Sequence, residues 1–367
     1  MPPVSADAVL DALRPIVDPD FHKSIVDLGF VKNIRVEGPR VSFTIELTTP
    51  ACPVKEQFKR AAQERVLALD GVEDVQVTMT ADTRGAAHAQ SSAEVLPGVK
   101  NTIAVASGKG GVGKSTVAVN LALAIAETGA RVGLMDADVY GPSLPLLMGV
   151  HGRPQATQNR VIPHESLGIK LMSMGFFLTE DSPVIWRGPM VHGLVRQFLT
   201  DVEWGELDYL IVDMPPGTGD AALTLTQQAP LAGAIIVTTA NDLSLVDARK
   251  GLRMFEQVKV PVLGIVENMS YFTPPDLPDR KYHIFGQGGG KRTAEELGVD
   301  FLGEIPIDPR VVEGGDQGRP IVSDAPDSPT AIVFRELAGR VAQKLARLSD
   351  STPPIADAAI TWVTDAR

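Results

Sequence analysis

The residues with the clearest chemical meaning run from Gly108 to Ser115 and read GKGGVGKS. Their glycines let the backbone turn tightly, so that successive N–H groups can point at the oxygens of one phosphate chain. Lys114 would reach the β- and γ-phosphates, and the Ser115 hydroxyl would bind Mg²⁺. The pattern predicts a nucleotide triphosphate site formed by the loop and the residue after it: Gly108, Gly110, Gly111, Val112, Gly113, Lys114, Ser115 and Thr116.

The segments that flank this loop are those that a phosphate-binding loop requires. Residues 102–107 form an apolar run typical of a strand, and residues 115–129 have the composition of a helix. Strand, loop and helix in this order direct the positive end of the helix at the phosphates. The context therefore favours a phosphate loop over a glycine turn that fits the pattern by chance.

Lys109 is a second lysine inside the same loop. It is not needed to hold phosphate, because the backbone N–H groups already do that. One interpretation is a solvated loop lysine. The other is a catalytic cation that crosses a dimer interface to the partner's nucleotide, as an arginine finger does, and neutralises charge on the transferred phosphoryl group.

Acidic residues follow two apolar segments, at the strand ends where α/β proteins build their sites. After the segment 131–137, Asp138 is predicted to orient the attacking water. Asp136 either supports the Mg²⁺ shell or caps the following turn. Asp213 ends another apolar strand and is predicted to hold Mg²⁺, usually through water.

The residues after Asp213 form a loop rich in proline and glycine, from Pro215 to Asp220. The Gly217 N–H of this loop is predicted to sense the γ-phosphate. Because that contact would exist before hydrolysis and be lost after it, the loop would act as a switch.

Two later strand ends carry weaker signals for the adenine base. The carboxamide of Asn268 offers a donor and an acceptor side by side, which suits an adenine edge. Pro306 and Asp308 lie in the segment 305–309, which could pack on the base. The alternative is that both places are ordinary strand-end turns.

Composition excludes several classes of protein. The 367 residues are enough for two domains, and the formal charge of −11 argues against a nucleic-acid partner and against a polybasic membrane patch. No apolar run reaches the roughly 18 residues of a spanning helix, and the amino terminus lacks the pattern of a secretory signal. The single cysteine, Cys52, permits no intrachain disulfide. We therefore expect a cytoplasmic protein.

The chain divides into four segments by pattern. Residues 1–80 read as a small α/β domain, with a helix at 5–16 capped by Ser5 and a second helix from Pro53 to Leu69. Alternating apolar and polar residues predict the strands of this domain at 40–48 and 72–80.

A linker rich in Ala, Ser and Gly follows at 81–98. Residues 99–348 alternate strand and helix, which predicts a doubly wound, mainly parallel sheet. Its near-continuous apolar strands, as in 209–214 and 233–239, are typical of strands buried on both faces. Residues 349–367 are predicted to be a mobile tail.

Five strings together carry a family resemblance. The phosphate loop resembles the deviant loop of the MinD, ParA and nitrogenase-iron-protein superfamily, in which a lysine such as Lys109 acts across a dimer. The larger set resembles the Mrp/ApbC-type ATPases, described as iron–sulfur cluster carriers or scaffolds: GKGGVGKS (108–115), DADVYGPS (136–143), VIWRGPM (184–190), DMPPGTGD (213–220) and VENMS (266–270).

The resemblance covers roughly residues 5–345. It implies a deviant P-loop NTPase fold, ATP with Mg²⁺, a homodimer, and an iron–sulfur cluster transferred to client proteins. The amino-terminal segment is similar to the small iron–sulfur assembly domain of SufT-like proteins, through residues 25–31 and 48–55.

The chain departs from this family at one place. Family members typically carry a Cys-x-x-Cys pair shortly after the segment that matches 267–270, and the pair bridges a cluster between two subunits. Here Pro274 and Leu277 occupy those positions, so a dimer lacks the four thiolates of such a cluster. The nearby oxygen and nitrogen donors form either a different metal site or a solvated loop: Asp276, Asp279, Tyr282 and His283.

Cys52 is then the one thiol left for metal chemistry. It precedes a predicted helix, and the start of a helix favours the thiolate, which binds metals. The resemblance of the amino-terminal domain marks this cysteine as functional. The alternative is a small apolar residue buried at the helix start.

These observations favour a dimeric ATPase that binds and transfers iron–sulfur clusters or assists their assembly. A MinD/ParA-like positioning switch would need a basic amphipathic tail or a basic surface, which residues 351–367 and the net charge do not provide. A reductase would need paired cysteines in the ATPase domain, and a small-molecule kinase would leave Lys109 unexplained. An ATP-gated adaptor without its own cluster remains open as an alternative.

Overall fold

The computed structural model of the chain describes residues 4–19, 21–52, 54–83, 85, 95–139, 141–157, 160–177 and 188–351. A three-stranded sheet organises the amino-terminal part, and an eight-stranded sheet organises the rest. The elements of the amino-terminal unit are α1 (Ala6–Leu13), β1 (Val17–Asp18), β2 (Lys23–Ser24), β3 (Val31–Glu37), β4 (Arg40–Leu47), α2 (Lys55–Leu67) and β5 (Asp74–Ala81).

Buried apolar residues alternate with polar residues along the central strand of the small sheet. In β4, Val41, Phe43 and Ile45 are buried between polar neighbours, and they pack against apolar residues of α1 and α2. The strand order is β3-β4-β5, with β3 antiparallel and β5 parallel to β4. Ser5 caps α1, because its hydroxyl accepts a hydrogen bond of 3.1 Å from the N–H of Ala8. The predicted α/β unit is thus present, with its strands close to the expected positions.

The larger unit alternates strands and helices along the chain. Its first half consists of β6 (Val99–Ala106), α3 (Lys114–Ala126), β7 (Val132–Asp136), α4 (Leu144–Met148), β8 (His164–Ser166), β9 (Ile169–Ser173), a short 3₁₀ turn (Met174–Phe176) and α5 (Gly188–Thr200). Its second half consists of β10 (Leu207–Asp213), α6 (Asp220–Gln228), β11 (Leu231–Thr238), α7 (Asp242–Gln257), β12 (Val262–Glu267), α8 (Gly289–Leu297), β13 (Phe301–Glu304), α9 (Pro309–Asp316), α10 (Ile321–Asp324) and α11 (Pro329–Ser351).

The strand order of this sheet is β13-β12-β11-β6-β10-β7-β9-β8. All neighbours are parallel except β8 and β9 at one edge. Every residue of β10 and β11 is buried, because helices cover both faces. One core layer contains α3 and α11, and the other contains α5, α6 and α7. The predicted doubly wound, mainly parallel sheet is confirmed, and β6 lies at its centre.

Several boundaries differ from the sequence prediction or lie outside the described residues. Helix α2 begins at Lys55, and the predicted first residue, Pro53, is not described. In the predicted linker, Ala81 still belongs to β5 and Leu96 is buried in the core of the large unit, while residues 84 and 86–94 lie outside the described residues.

Helix α11 continues to Ser351, which is three residues beyond the predicted end of the ATPase domain. The rest of the predicted tail lies outside the described residues, as do Val184 to Arg187 of the string VIWRGPM. No helix among residues 4–351 that the structure describes is both long and apolar enough to cross a membrane.

Candidate nucleotide-binding site

The glycine loop lies at the carboxyl end of the central strand β6, where doubly wound sheets bind ligands. Gly111 and Gly113 have positive φ angles of 81° and 78°, which only glycine adopts without strain. Gly113 is also the residue before the first turn of α3, so the helix begins at Lys114 and its free N–H groups face the loop.

Beside this loop the structure has an open cleft of about 290 Å³. The residues that line it come from the glycine loop, the start of α3, the segment after β7 and the loop after β10: Ser107, Lys109, Gly110, Gly111, Gly113, Lys114, Ser115, Thr116, Asp138, Gly141, Ser143, Leu147 and Pro216. Most of the predicted loop residues therefore meet at one cleft. Gly108 and Val112 instead support the loop from behind, and Val112 is buried.

Lys114 and Asp213 form an ion pair beneath the cleft. The pairing of β10 with β6 places Asp213 opposite Val105, next to the start of the loop. Both side chains are almost fully buried, with 6% and 4% of their surface exposed. Burial raises the pKa of Asp213, and the neighbouring Lys114 offsets this only in part.

The oxygen atoms at this point fit a magnesium ion. Lys114 donates to the Ser115 hydroxyl at 3.4 Å and is also paired with Asp213, so a hydroxyl and a carboxylate meet at one cation. Hard oxygen donors of this kind are the ligands that Mg²⁺ takes in nucleotide sites. The buried Ser143 hydroxyl also faces the cleft, and it has no hydrogen-bond partner among the residues that the structure describes. Such an unsatisfied group fits a site that takes a polar ligand.

Asp136 caps the turn after β7, which is the second of its two predicted roles. One carboxylate oxygen accepts the N–H of Asp138 at 3.0 Å, and the other accepts the Ser143 N–H at 3.1 Å, the Leu144 N–H at 3.2 Å and the Ser173 hydroxyl at 3.0 Å. Burial and the nearby Asp213 raise the pKa of Asp136 to about 7. These hydrogen bonds let Asp136 hold the loop that carries Asp138, and its Mg²⁺ role stays a prediction.

Asp138 and Lys109 both line this cleft. One Asp138 oxygen accepts the Gly141 N–H at 3.2 Å, which leaves the rest of the half-buried carboxylate toward the cleft. The carbonyl of Lys109 accepts the Ser107 hydroxyl at 2.9 Å, so the backbone of this lysine is held while its side chain is partly exposed. The arrangement places a carboxylate and a second cation near the phosphate loop.

In this conformation the Gly217 N–H does not point toward the predicted phosphate site. Its N–H donates a 2.9 Å hydrogen bond to the carbonyl of Ser107, just before the phosphate loop, and is therefore not directed at the cleft. Its φ angle of 84° requires glycine. Pro216, beside it, lines the cleft instead. The loop that contains Gly217 is thus hydrogen-bonded to the residue that follows β6.

The residues predicted to hold the base have other partners. The Asn268 amide donates to the carbonyl of Val112 at 2.8 Å, so Asn268 supports the loop from beneath and does not line the cleft. Asp308 caps α9 and pairs with Arg310 and Thr330 at 2.7 Å each. Pro306 lies in the turn between β13 and α9, away from the residues that line the cleft.

Sequence patterns missed five residues of the cleft: Ser107, Gly141, Ser143, Leu147 and Pro216. Two of them, Gly141 and Ser143, lie in the same string as Asp138, and their spacing from that aspartate is a signal that could have found them. Leu147 gives no such signal, because an apolar residue in a short helix predicts packing and not ligand contact.

A pair of glycine substitutions tests whether the loop is supported as described. A Cβ at Gly108 would overlap the main chain of Asp247 in α7, whereas a Cβ at Gly110 would meet nothing within 4 Å. We expect Gly108→Ala to cost about 1–3 kcal/mol of unfolding free energy, as overpacking does. Gly110→Ala is expected to stay within about 0.5 kcal/mol of the native chain. Urea unfolding without nucleotide measures both, and equal stabilities of the two variants would contradict this packing.

The predicted metal donors outside the nucleotide site are not clustered. Among the described residues, no group of three or more His, Cys, Asp and Glu side chains could hold a metal ion. In the loop that replaces the Cys-x-x-Cys pair, Asp276, Asp279 and Tyr282 are exposed. Cys52 is partly buried against the apolar core of the small unit, and its carbonyl accepts the N–H of Lys55 at 3.2 Å as α2 begins.

Comparisons with known proteins agree with this architecture. Residues 98–342 match the NUBPL iron-transfer P-loop NTPase family of ParA type, and residues 6–79 match the iron–sulfur cluster assembly protein family. An iron-sulfur cluster carrier protein of Synechocystis sp. is 53% identical over 350 residues, which are 93% of this chain and 98% of that protein.

Solved structures show the same fold for the larger unit. A nucleotide-binding protein of Archaeoglobus fulgidus, solved with ADP, is 41% identical with a TM-score of 0.58, over 66% of this chain and 95% of that one. The cell-division ATPase MinD of Pyrococcus furiosus, 23% identical with a TM-score of 0.50 over 66% of this chain and 98% of that one, shares the fold alone. The match over residues 98–342 covers more than half of the chain, and this chain therefore belongs to the NUBPL iron-transfer P-loop NTPase family.

Proposed function

We propose that the chain is an ATP-hydrolysing dimeric switch that binds iron–sulfur clusters and transfers them to client apoproteins, or assists their assembly. The observation that carries this proposal is the pairing of an assembly-type unit with a phosphate loop in one chain. The Synechocystis carrier protein has the same arrangement over 93% of this chain. Both parts must therefore be accounted for by one function.

The residues of the cleft support ATP hydrolysis between two subunits. Lys114 and the loop N–H groups bind the β- and γ-phosphates, and Thr116 contacts the α-phosphate. Ser115 and Asp213 hold the Mg²⁺, which neutralises phosphate charge when bound. Asp138 orients the water that attacks the γ-phosphorus. The bond from that phosphorus to the bridging oxygen breaks, and ADP leaves with that oxygen.

Lys109 would act on the nucleotide of the other subunit. Its side chain is partly exposed and it lines the cleft, so it is accessible to a second copy of the chain. A cation at that place stabilises the charge that develops on the transferred group. Two copies would thus close around two ATP molecules.

The Gly217 loop would report the state of the nucleotide. In this structure the Gly217 N–H is bonded to the Ser107 carbonyl, next to the first glycine of the phosphate loop. A γ-phosphate competes for that N–H and draws the loop toward the cleft. Hydrolysis removes the competitor, the bond to Ser107 forms again, and the dimer reopens.

Cluster binding would use Cys52. One thiol per chain gives two in a dimer, which is fewer than the four ligands of an ordinary cluster. Thiolates of a client protein or of a thiol cofactor would complete the set. Such a shared site suits a carrier, because ligand exchange releases the cluster to the client.

Anaerobic reconstitution with iron and sulfide tests this role. We expect the native chain to retain iron and sulfide together with visible absorption, and Cys52→Ala to lose them. A matched control removes the alternative donors by combining Asp276→Ala with His283→Ala, and it is expected to retain iron like the native chain. Iron that is absent from the native chain, or present in Cys52→Ala, would contradict cluster binding at Cys52.

An adaptor without its own cluster is the second candidate. The observation that favours it is the single thiol together with the absence of a three-residue metal cluster in the described part of the chain. In that case ATP would gate the docking of client proteins on the amino-terminal unit, and no reconstitution would load iron.

A further inference from the structure

A buried hydrogen bond joins the small unit to the large one. The hydroxyl groups of Thr49 and Tyr209 lie 2.9 Å apart, although 160 positions separate them in the chain. Thr49 is 3% exposed and Tyr209 is 1% exposed, so water does not compete for either group. In a buried place such a pair is costly to break, because the partner that remains is left unsatisfied.

Thr49 belongs to the loop that carries Cys52. This loop follows β4, and the Thr49 hydroxyl also accepts the N–H of Ala51 at 3.2 Å. The Cys52 carbonyl in turn accepts the Lys55 N–H at the start of α2. One hydroxyl therefore fixes the path of the backbone up to the cysteine.

Tyr209 belongs to the strand that carries Asp213. It is the third residue of β10 and is paired with Asn101 of β6 on one side and with Val132 of β7 on the other. Four residues later the same strand ends at Asp213, which is about 13 Å away at the usual rise of an extended strand. The strand is paired on both edges within a close-packed core, which transmits strain.

A charged residue beside this contact also links the small unit to the large one. Lys100 forms ion pairs with Asp82 at 3.5 Å and with Asp208 at 3.2 Å. Burial raises the pKa of Tyr209 to about 12, so the phenol stays protonated and keeps its hydrogen bond across the neutral range.

We propose that the Thr49–Tyr209 hydrogen bond couples the loop of Cys52 to the nucleotide-binding strand, so that the exposure of Cys52 depends on the nucleotide bound at Lys114. This inference rests on the ATP binding proposed above. In this structure Asp213 is paired with Lys114. Nucleotide phosphates compete for Lys114, which changes the partner of Asp213 and the force on β10. A displacement of Tyr209 would move Thr49 through their hydrogen bond, and Thr49 would move the backbone before Cys52.

The test measures the rate at which iodoacetamide alkylates the one thiol of the chain. The rate is followed by mass spectrometry without nucleotide, with Mg²⁺–ADP, and with Mg²⁺ and a non-hydrolysable ATP analogue. We expect the rates with and without the analogue to differ by about fivefold or more, the usual range of coupling between two sites. Equal rates in a protein that binds the analogue would overturn the coupling.

Three substitutions separate coupling from a general effect on folding. Tyr209→Phe and Thr49→Val remove one hydroxyl each, and both are expected to lose the nucleotide dependence of the alkylation rate. Thr49→Ser keeps the hydroxyl and is expected to keep that dependence. If Tyr209→Phe and Thr49→Val still respond to the analogue as the native chain does, the hydrogen bond does not carry the signal.

Nucleotide affinity is measured on the same samples by equilibrium dialysis. A native chain that does not bind the analogue would overturn the proposed ATPase and the coupling with it. A native chain that binds the analogue but shows no change in alkylation would overturn the coupling alone.

Discussion

Replacement of Lys114 by alanine is expected to abolish ATP binding. Lys114 lines the cleft beside the glycine loop, and it is the cation placed to meet the β- and γ-phosphates. Truncation of one member of a buried charge pair costs about 2–5 kcal/mol, and each 1.4 kcal/mol is a factor of about ten in affinity. We therefore expect the affinity for Mg²⁺–ATP to fall by about a hundredfold or more, measured by isothermal titration calorimetry.

The same substitution is expected to weaken the fold. Asp213 is buried, and Lys114 is its ion-pair partner. An unpaired buried carboxylate costs about 3–5 kcal/mol, which urea unfolding would register. The variant could thus fail to bind because it fails to fold, so a second variant is needed.

The double variant Lys114→Met with Asp213→Asn separates these effects. It removes both charges and keeps similar side-chain volumes, so its unfolding free energy is expected to return close to that of the native chain. Its affinity for Mg²⁺–ATP is expected to stay low, because the phosphate and magnesium contacts are both lost. A folded double variant with native affinity would show that the loop lysine is not the phosphate ligand.

Replacement of Lys109 by alanine is expected to preserve ATP binding and to lower turnover. Backbone N–H groups hold the phosphates, so ATP affinity is expected to remain within about threefold of the native value. Turnover is expected to fall by about 10³-fold, the lower end of the effect of a cation supplied to a transferred phosphoryl group. Phosphate release under saturating ATP measures this, and normal turnover would exclude a catalytic role.

Mixed dimers test whether Lys109 acts across the interface. Lys109→Ala and Asp138→Asn are each expected to be nearly inactive alone. In an equimolar mixture half of the dimers contain one subunit of each kind. If Lys109 acts on the partner's nucleotide, each of these dimers has one complete site, so about one quarter of the native turnover returns. If it acts within its own subunit, no site is complete and the mixture stays inactive.

The local patterns of the sequence predicted the fold well, and the reasons are physical. The strands of the large sheet are apolar along their whole length because helices cover both faces, and this pattern is readable without knowing which strands are neighbours. The alternation of apolar and polar residues in β4 can also be read from that segment alone, because one face of this strand is buried. Boundaries were less certain, as with α2 and the linker, because helix and strand ends depend on contacts made outside the element.

In the nucleotide site, local sequence patterns predict the loop but not the partners of the other side chains. The loop from Gly108 to Ser115 is predictable because its conformation depends on glycines within it. Asp136 and Asn268 lie at strand ends as predicted, and Asp308 caps α9, but the chemistry of all three depends on their partners. The structure gives Asp136 three N–H donors and a hydroxyl, Asn268 a loop carbonyl, and Asp308 an arginine and a threonine.

The sequence by itself therefore determined the phosphate loop, the two α/β units and the presence of a single thiol, because each depends on residues close together in the chain or on composition. The tertiary structure alone decided which distant residues meet. Lys114 and Asp213 are 99 positions apart, and Thr49 and Tyr209 are 160 apart. The first contact requires β6 and β10 to become neighbours in the large sheet, and the second requires the small unit to pack against β10.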